Sequence, residues 1–143
     1  MICADSSFLL SLEGNDTNSL AATTHALGLS DPIAISALGR LELENATRLL
    51  LFRRVITAES ASALLSNFAA DESAGLIDEV RCSWPAVFAT ARRISRARTE
   101  LEGYRLMDIV LVAVAIELRA DEFLSLDERQ RKLATAEGLK VGP

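Results

Sequence analysis

Residues 103–141 read GYRLMDIVLVAVAIELRADEFLSLDERQRKLATAEGLKV, and this stretch decides the fold. Gly103 ends the helical pattern before it. Leu106 to Arg119 then predicts a very apolar helix, with eight consecutive apolar residues from Ile109 to Ile116. A helix that is apolar all round has to be buried all round. The run is too short to cross a bilayer, which takes about 20 residues. Glu122 to Leu126 follows as a strand, Asp127 to Ala136 as a helix and Leu139 to Val141 as an edge strand. Helices alternating with short strands build a parallel sheet covered on both faces.

The alternation extends back to the N-terminus. Met1 to Ala4 reads as a strand closed by Asp5, and Ser6 to Leu12 as a helix. Gly14 to Asp16 is a turn, and Asn18 to Leu27 is helical. Asp31-Pro32 opens a second strand, Ile33 to Ile35, followed by a long helix from Ser36 to about Val55. A further helix runs from Thr57 to about Ala70, a strand from Gly75 to Val80, and an arginine-rich helix from Pro85 to Glu102. No repeat or Pro/Gly-rich linker divides the chain, so residues 1–143 are expected to form one α/β domain.

Composition narrows the function. The 143 residues carry 20 acidic side chains against 15 basic ones, a formal charge of −5. That balance argues against a basic nucleic-acid clamp or electrostatic attachment to anionic lipid, although a local site can oppose the net sign. Thirteen of the 15 bases are arginine, whose rigid fork suits phosphate. Cys3, Cys82 and the single His25 lack the spacing of a zinc site and read as reduced thiols and a structural or surface histidine. The opening MICADSSFLL has no basic n-region, and Asp5 interrupts its apolar run, so a cytoplasmic, unprocessed protein is expected.

In a parallel α/β sheet, ligands bind beyond the carboxyl ends of the strands, near the point where strand order reverses. Four acids fall there. Asp5 closes the first strand and could equally cap the following helix. Glu42 lies at about 40° on a wheel with Leu38 at zero, inside a stripe made with Ala46 and Leu49. Glu44, between Arg40 and Arg48, belongs to a solvated face. Asp108 precedes the buried apolar run, where it could also complement the helix dipole. Asp127 follows the strand EFLSL, with a second helical position in a Ser125–Glu128 capping box as its structural alternative. Two carboxylates 5 Å apart repel by roughly 3 kcal/mol at an effective dielectric near 20, so four need compensation. An oxygen-rich, nitrogen-poor cluster suits Mg2+ or Mn2+.

These residues resemble a PIN domain over nearly the whole chain. ADSSFLLSL resembles the first acidic motif of that family, RLELENATRLLLFR the second with its Glu on Glu42, and residues 103–141 the third and fourth, on Asp108 and Asp127. The resemblance implies a three-layer α/β/α domain with a central, mainly parallel sheet and a Mg2+- or Mn2+-dependent ribonuclease. It also implies a toxin of the VapC type held by a cognate antitoxin protein, and a homodimer. The chain departs from the family in one place: Leu111 stands where many relatives have a His three residues after the third acid.

Under this reading Asp5, Asp108 and Asp127 hold metal, and Glu42 completes the shell or orients the attacking water. Ser6 and Ser125 are candidates to hydrogen-bond the carboxylates or water. Arg92, Arg93 and Arg96 are candidates for the RNA backbone. The alternative is a catalytically weak or inactive PIN-like binding module that acts through a protein partner.

Overall fold

The computed structural model describes residues 1–143. Each strand has three residues: β1 (Ile2–Ala4), β2 (Ile33–Ile35), β3 (Ile77–Glu79), β4 (Glu122–Leu124) and β5 (Lys140–Gly142). They form one sheet in the order β3-β2-β1-β4-β5, parallel throughout. The chain moves outward from β1 to β3, then returns to the other side of β1 with β4. Strand order therefore reverses between β1 and β4, and the region beyond their carboxyl ends is where parallel α/β sheets bind ligands.

Seven helices cover the sheet: α1 (Ser6–Glu13), α2 (Ser19–Leu27), α3 (Ala37–Phe52), α4 (Ala58–Ser73), α5 (Trp84–Glu102), α6 (Leu106–Glu117) and α7 (Glu128–Ala136). The pleat sorts the strand residues between two cores. Ile2, Ala4, Ile33, Ile35, Ile77 and Leu124 pack with Phe8, Leu9, Leu43, Leu64 and Phe68 from α1, α3 and α4. Cys3, Ala34 and Phe123 face the opposite way, against α5, α6 and α7. This is a three-layer α/β/α sandwich. In α6 the whole run from Ile109 to Ala115 is buried, as its composition requires.

The boundaries differ from the sequence reading for local reasons. The third strand starts at Ile77 because Gly75, at φ +73°, makes a turn first. α3 stops at Phe52 because Arg54 adopts φ +58° and turns the chain toward α4. β4 stops at Leu124 because Leu126 N–H bonds the Ser7 hydroxyl at 2.8 Å instead of continuing the ladder. Gly103, at φ +68°, caps α5 and lets α6 start three residues later. That reversal sets Asp108 in the first turn of a buried helix.

The stripe on α3 is also shifted. Its buried residues are Gly39, Leu43 and Thr47, while Leu49 is exposed. The small Gly39 permits close approach, with Leu111 Cδ2 standing 3.8 Å from where a Cβ would be. Thr47 satisfies its hydroxyl on the Leu43 carbonyl at 2.9 Å. Glu42 consequently lies half-buried at the edge of the buried stripe, not in its middle.

Candidate active site

Asp5 follows β1 in extended conformation and caps α1. Its side chain is 1% exposed, yet both oxygens are satisfied. Oδ1 accepts from Phe8 N–H at 3.0 Å and from the Ser7 hydroxyl at 2.7 Å. Oδ2 accepts from the Ser125 hydroxyl at 2.6 Å. Burial pushes the Asp5 pKa up, Ser125, Phe8 and Ser7 oppose that shift, and the charge of Asp127 adds to it.

Asp127 is exposed and caps α7, accepting from Arg129 N–H at 2.8 Å and Gln130 N–H at 3.1 Å on Oδ1. It is thus the cap itself and not the second helical residue. Its own N–H donates to the hydroxyls of Ser7 and Ser125, each at 3.1 Å. Two serines therefore bolt the loop after β1 to the loop after β4, across the point where strand order reverses. Ser125 was legible from its place before the last acid. Ser7 was not, although an Asp-x-Ser at a helix start points a hydroxyl back toward the cap.

Glu42 approaches from α3 and Asp108 from α6. Burial is the first cause that raises the Glu42 pKa; the Ser6 side chain opposes it, and the charges of Asp5 and Asp108 reinforce it. Ser6 thus faces Glu42, while Ser7 and Ser125 serve Asp5. Glu42 Oε2 is buried without a hydrogen-bond partner. Asp108 is half-buried, and its Oδ2 accepts weakly from Arg105 N–H at 3.4 Å. Burial raises its pKa and the Arg105 N–H bond lowers it. The charge of Asp127 raises it further, while the guanidinium charges of Arg105 and Arg129 draw it down.

The four acids are therefore linked in a ring of mutual repulsion: Asp5 with Glu42, Glu42 with Asp108, Asp108 with Asp127, and Asp127 with Asp5. None of them forms an ion pair, although Glu44, Glu102 and Glu137 all do. In the present side-chain positions no three His, Cys, Asp or Glu groups are close enough to hold one metal ion. Asp5 and Asp127 direct oxygens at backbone N–H groups and serines, which keeps them apart. The donor set is nonetheless entirely hard oxygen, and the orphaned Glu42 Oε2 is an acceptor still lacking a partner. Those two features fit a divalent cation.

The other candidates lie elsewhere. Arg93 pairs with Glu137 at 2.7 Å, at the end of α7 opposite Asp127, and shares a shallow groove on α5 with Arg92 and Arg96. Leu111 is buried in the core and offers the acids nothing polar. His25 stands 3.5 Å from Glu122, whose strand residue opens β4 at the far end from Asp127. A partly open pocket of about 410 Å³ lies at the amino ends of β2 and β3, lined by Leu12, Leu29, Pro32, Ile33, Asp71 and Leu76, and includes none of the four acids. No helix is long and apolar enough to cross a membrane.

By sequence the chain matches no family model and no curated protein. Its likeness to known proteins is in the fold, which is that of a PIN-like domain. VapC20 of Mycobacterium tuberculosis, a sarcin-ricin loop cleaving toxin, superimposes with a TM-score of 0.70 at 18% identity, over 97% of this chain and 96% of that one. FitAcB from Neisseria gonorrhoeae superimposes with a TM-score of 0.65 at 16% identity, over 100% of this chain and 97% of that one.

Proposed function

We propose that the protein is a Mg2+- or Mn2+-dependent endoribonuclease and the toxin of a toxin–antitoxin pair. The observation that carries this reading is the ring of four unpaired acids at the reversal of strand order, with one buried oxygen lacking any partner. The fold supports it, because a PIN-like neighbour is a toxin that cleaves the sarcin-ricin loop.

Asp5, Asp108 and Asp127 are the residues that would hold the cation. When bound, it would supply an activated water and charge neutralisation at the scissile phosphate. The protein's own contribution is positional. Ser7 and Ser125 fix the Asp5 carboxylate from both sides, and Ser6 orients Glu42. Glu42 Oε2, free of donors and carrying a raised pKa, is suited to accept the proton of the attacking water. Water is the nucleophile: the lone His25 lies near Glu122, at the far end of β4 from the four acids, and leaves no Ser–His–acid arrangement there.

The partners follow from the same reading. An RNA substrate places the work in the cytoplasm, and a toxin carried by its own producer requires an antitoxin protein. Apolar side chains left exposed give that partner, or a second copy in a homodimer, surface to cover: Phe52 at the end of α3 and Val55 after it, and Leu101 and Leu106 on either side of the turn from α5 to α6.

The test uses purified protein, Mn2+ and a mixed RNA substrate, with Asp108→Asn as the control. Expected are Mn2+ binding by calorimetry and Mn2+-dependent cleavage that D108N abolishes. Undiminished cleavage by D108N overturns the assignment of the site. Metal binding without cleavage by the wild type favours the second reading, a binding module in which Leu111 replaces the polar residue common after the third acid.

A further inference from the structure

RNA that approaches four carboxylates brings more negative charge to a place that already repels it. Compensation must come from bases near the ring that are not already neutralised. Several bases on this side of the sheet are already neutralised. Arg93 and Arg98 bind Glu137, and Arg98 and Lys132 bind Glu102. Arg105 and Arg129 are not, and unlike the unpaired Arg92 and Arg96 on α5 they stand beside the ring. Both are exposed, both act on the charge of Asp108, and neither forms an ion pair with it or with Asp127.

Their positions break local rules of helix chemistry. Arg105 occupies the N-cap of α6, where an acceptor side chain is preferred and a guanidinium has none to offer. Arg129 sits in the first turn of α7, where its charge opposes the helix dipole. Local rules broken together beside one site point to function. Arg129 is also held in place, with one guanidinium N–H on the Gly103 carbonyl at 2.6 Å. The bond ties it to the turn that carries Arg105 and leaves its remaining donors free.

We propose that Arg105 and Arg129 bind the phosphate backbone of the substrate strand beside the cut, so that RNA crosses the starts of α6 and α7 and not the outer face of α5. The pair are positioning residues, and the inference rests on the ribonuclease reading above. Arg129 aims its fork from a fixed anchor, while Arg105 follows the strand from a free side chain.

The test measures binding rather than turnover. A fluorescein-labelled single-stranded RNA oligonucleotide is titrated with the full chain in Ca2+ at several KCl concentrations, and anisotropy reports the affinity. Each phosphate contact contributes about 0.7 to the slope of log K against log salt for a single strand. Arg105→Gln and Arg129→Gln should each lower that slope by about 0.7, the double variant by about 1.4. Arg129→Lys should restore the slope lost in R129Q. Arg119→Gln, beyond the opposite end of α6, should leave it unchanged. The Arg105 side chain makes no ion pair, so R105Q tests the idea even if R129Q disturbs the turn. A wild-type slope in R105Q and R129Q, or a loss confined to R92Q and R96Q, overturns the proposal while the ribonuclease reading stands. Wild-type protein that neither binds nor cuts RNA overturns both.

Discussion

Glu13 closes α1 with its side chain 4% exposed and its Oε1 buried without a partner. Burial, reinforced by the charge of Asp71, pushes its pKa from an ordinary 4.5 up to about 7. The folded state therefore holds a proton that the unfolded chain releases at lower pH. Between pH 4.5 and 7 folding takes up that proton, so stability declines as pH rises, by about 1.4 kcal/mol per unit. Summed over the window the loss is at most about 3.4 kcal/mol, complete above pH 7 and absent below 4.5. Glu13→Gln keeps the shape and removes the titration. It should match the wild type near pH 4.5 and exceed it by about 2–3 kcal/mol at pH 8, a rise of roughly 5–10 °C in Tm. Urea unfolding of both proteins at four pH values from 5 to 8 measures the difference. Asp5, Glu42 and Asp108 titrate in the same sense but cancel between the two proteins. A gap that does not widen with pH, or an E13Q protein less stable at pH 8, would refute the account.

Removing the Ser125 hydroxyl leaves Asp5 Oδ2 buried without its donor, so Ser125→Ala should cost about 1–3 kcal/mol in chemical denaturation. Asp127 does two jobs that substitutions can separate. D127A should lose about 1 kcal/mol of stability with the cap, whereas D127N should keep the cap and lose metal affinity and cleavage. The raised pKa values of Asp5, Glu42 and Asp108 make protons stronger competitors for the cation than they are at ordinary carboxylates. Mn2+ affinity by calorimetry should therefore begin to fall at a higher pH than an unperturbed carboxylate site would show, and a pH-independent affinity between 5 and 8 would contradict this.

The fold was largely legible because its three central strands are short and buried on both faces, which leaves compact runs such as Ile33–Ile35 between helical patterns. The apolar run in α6 marked a central helix for the same reason. Within the site, Asp5 and Asp127 announced themselves by following strands. Glu42 stood out as an acid near apolar neighbours, but wheel geometry cannot say which side of a stripe packs tightest. Gly39 and Thr47 decided that by their small size and by Thr47's internal hydrogen bond. Pairings distant in the chain left no local trace. Ser7 meets residues 119 and 120 positions away, Arg129 reaches Gly103, and Arg40 serves Glu72 and Glu79 as well as Glu44.

The bolts between the first and fourth strands also have a consequence in time. β1 leaves the ribosome well before its partner β4, and the Ser125 that clamps Asp5 follows that acid by 120 residues. At 5–20 residues per second, the 120 residues from Asp5 to Ser125 take about 6–24 seconds to make. Through most of that interval Asp5 has neither its serine clamp from the fourth strand nor Asp127 beside it. The acid ring therefore closes only after β4 has paired with β1, so a chain that stops short of Ser125 holds neither the clamp nor Asp127.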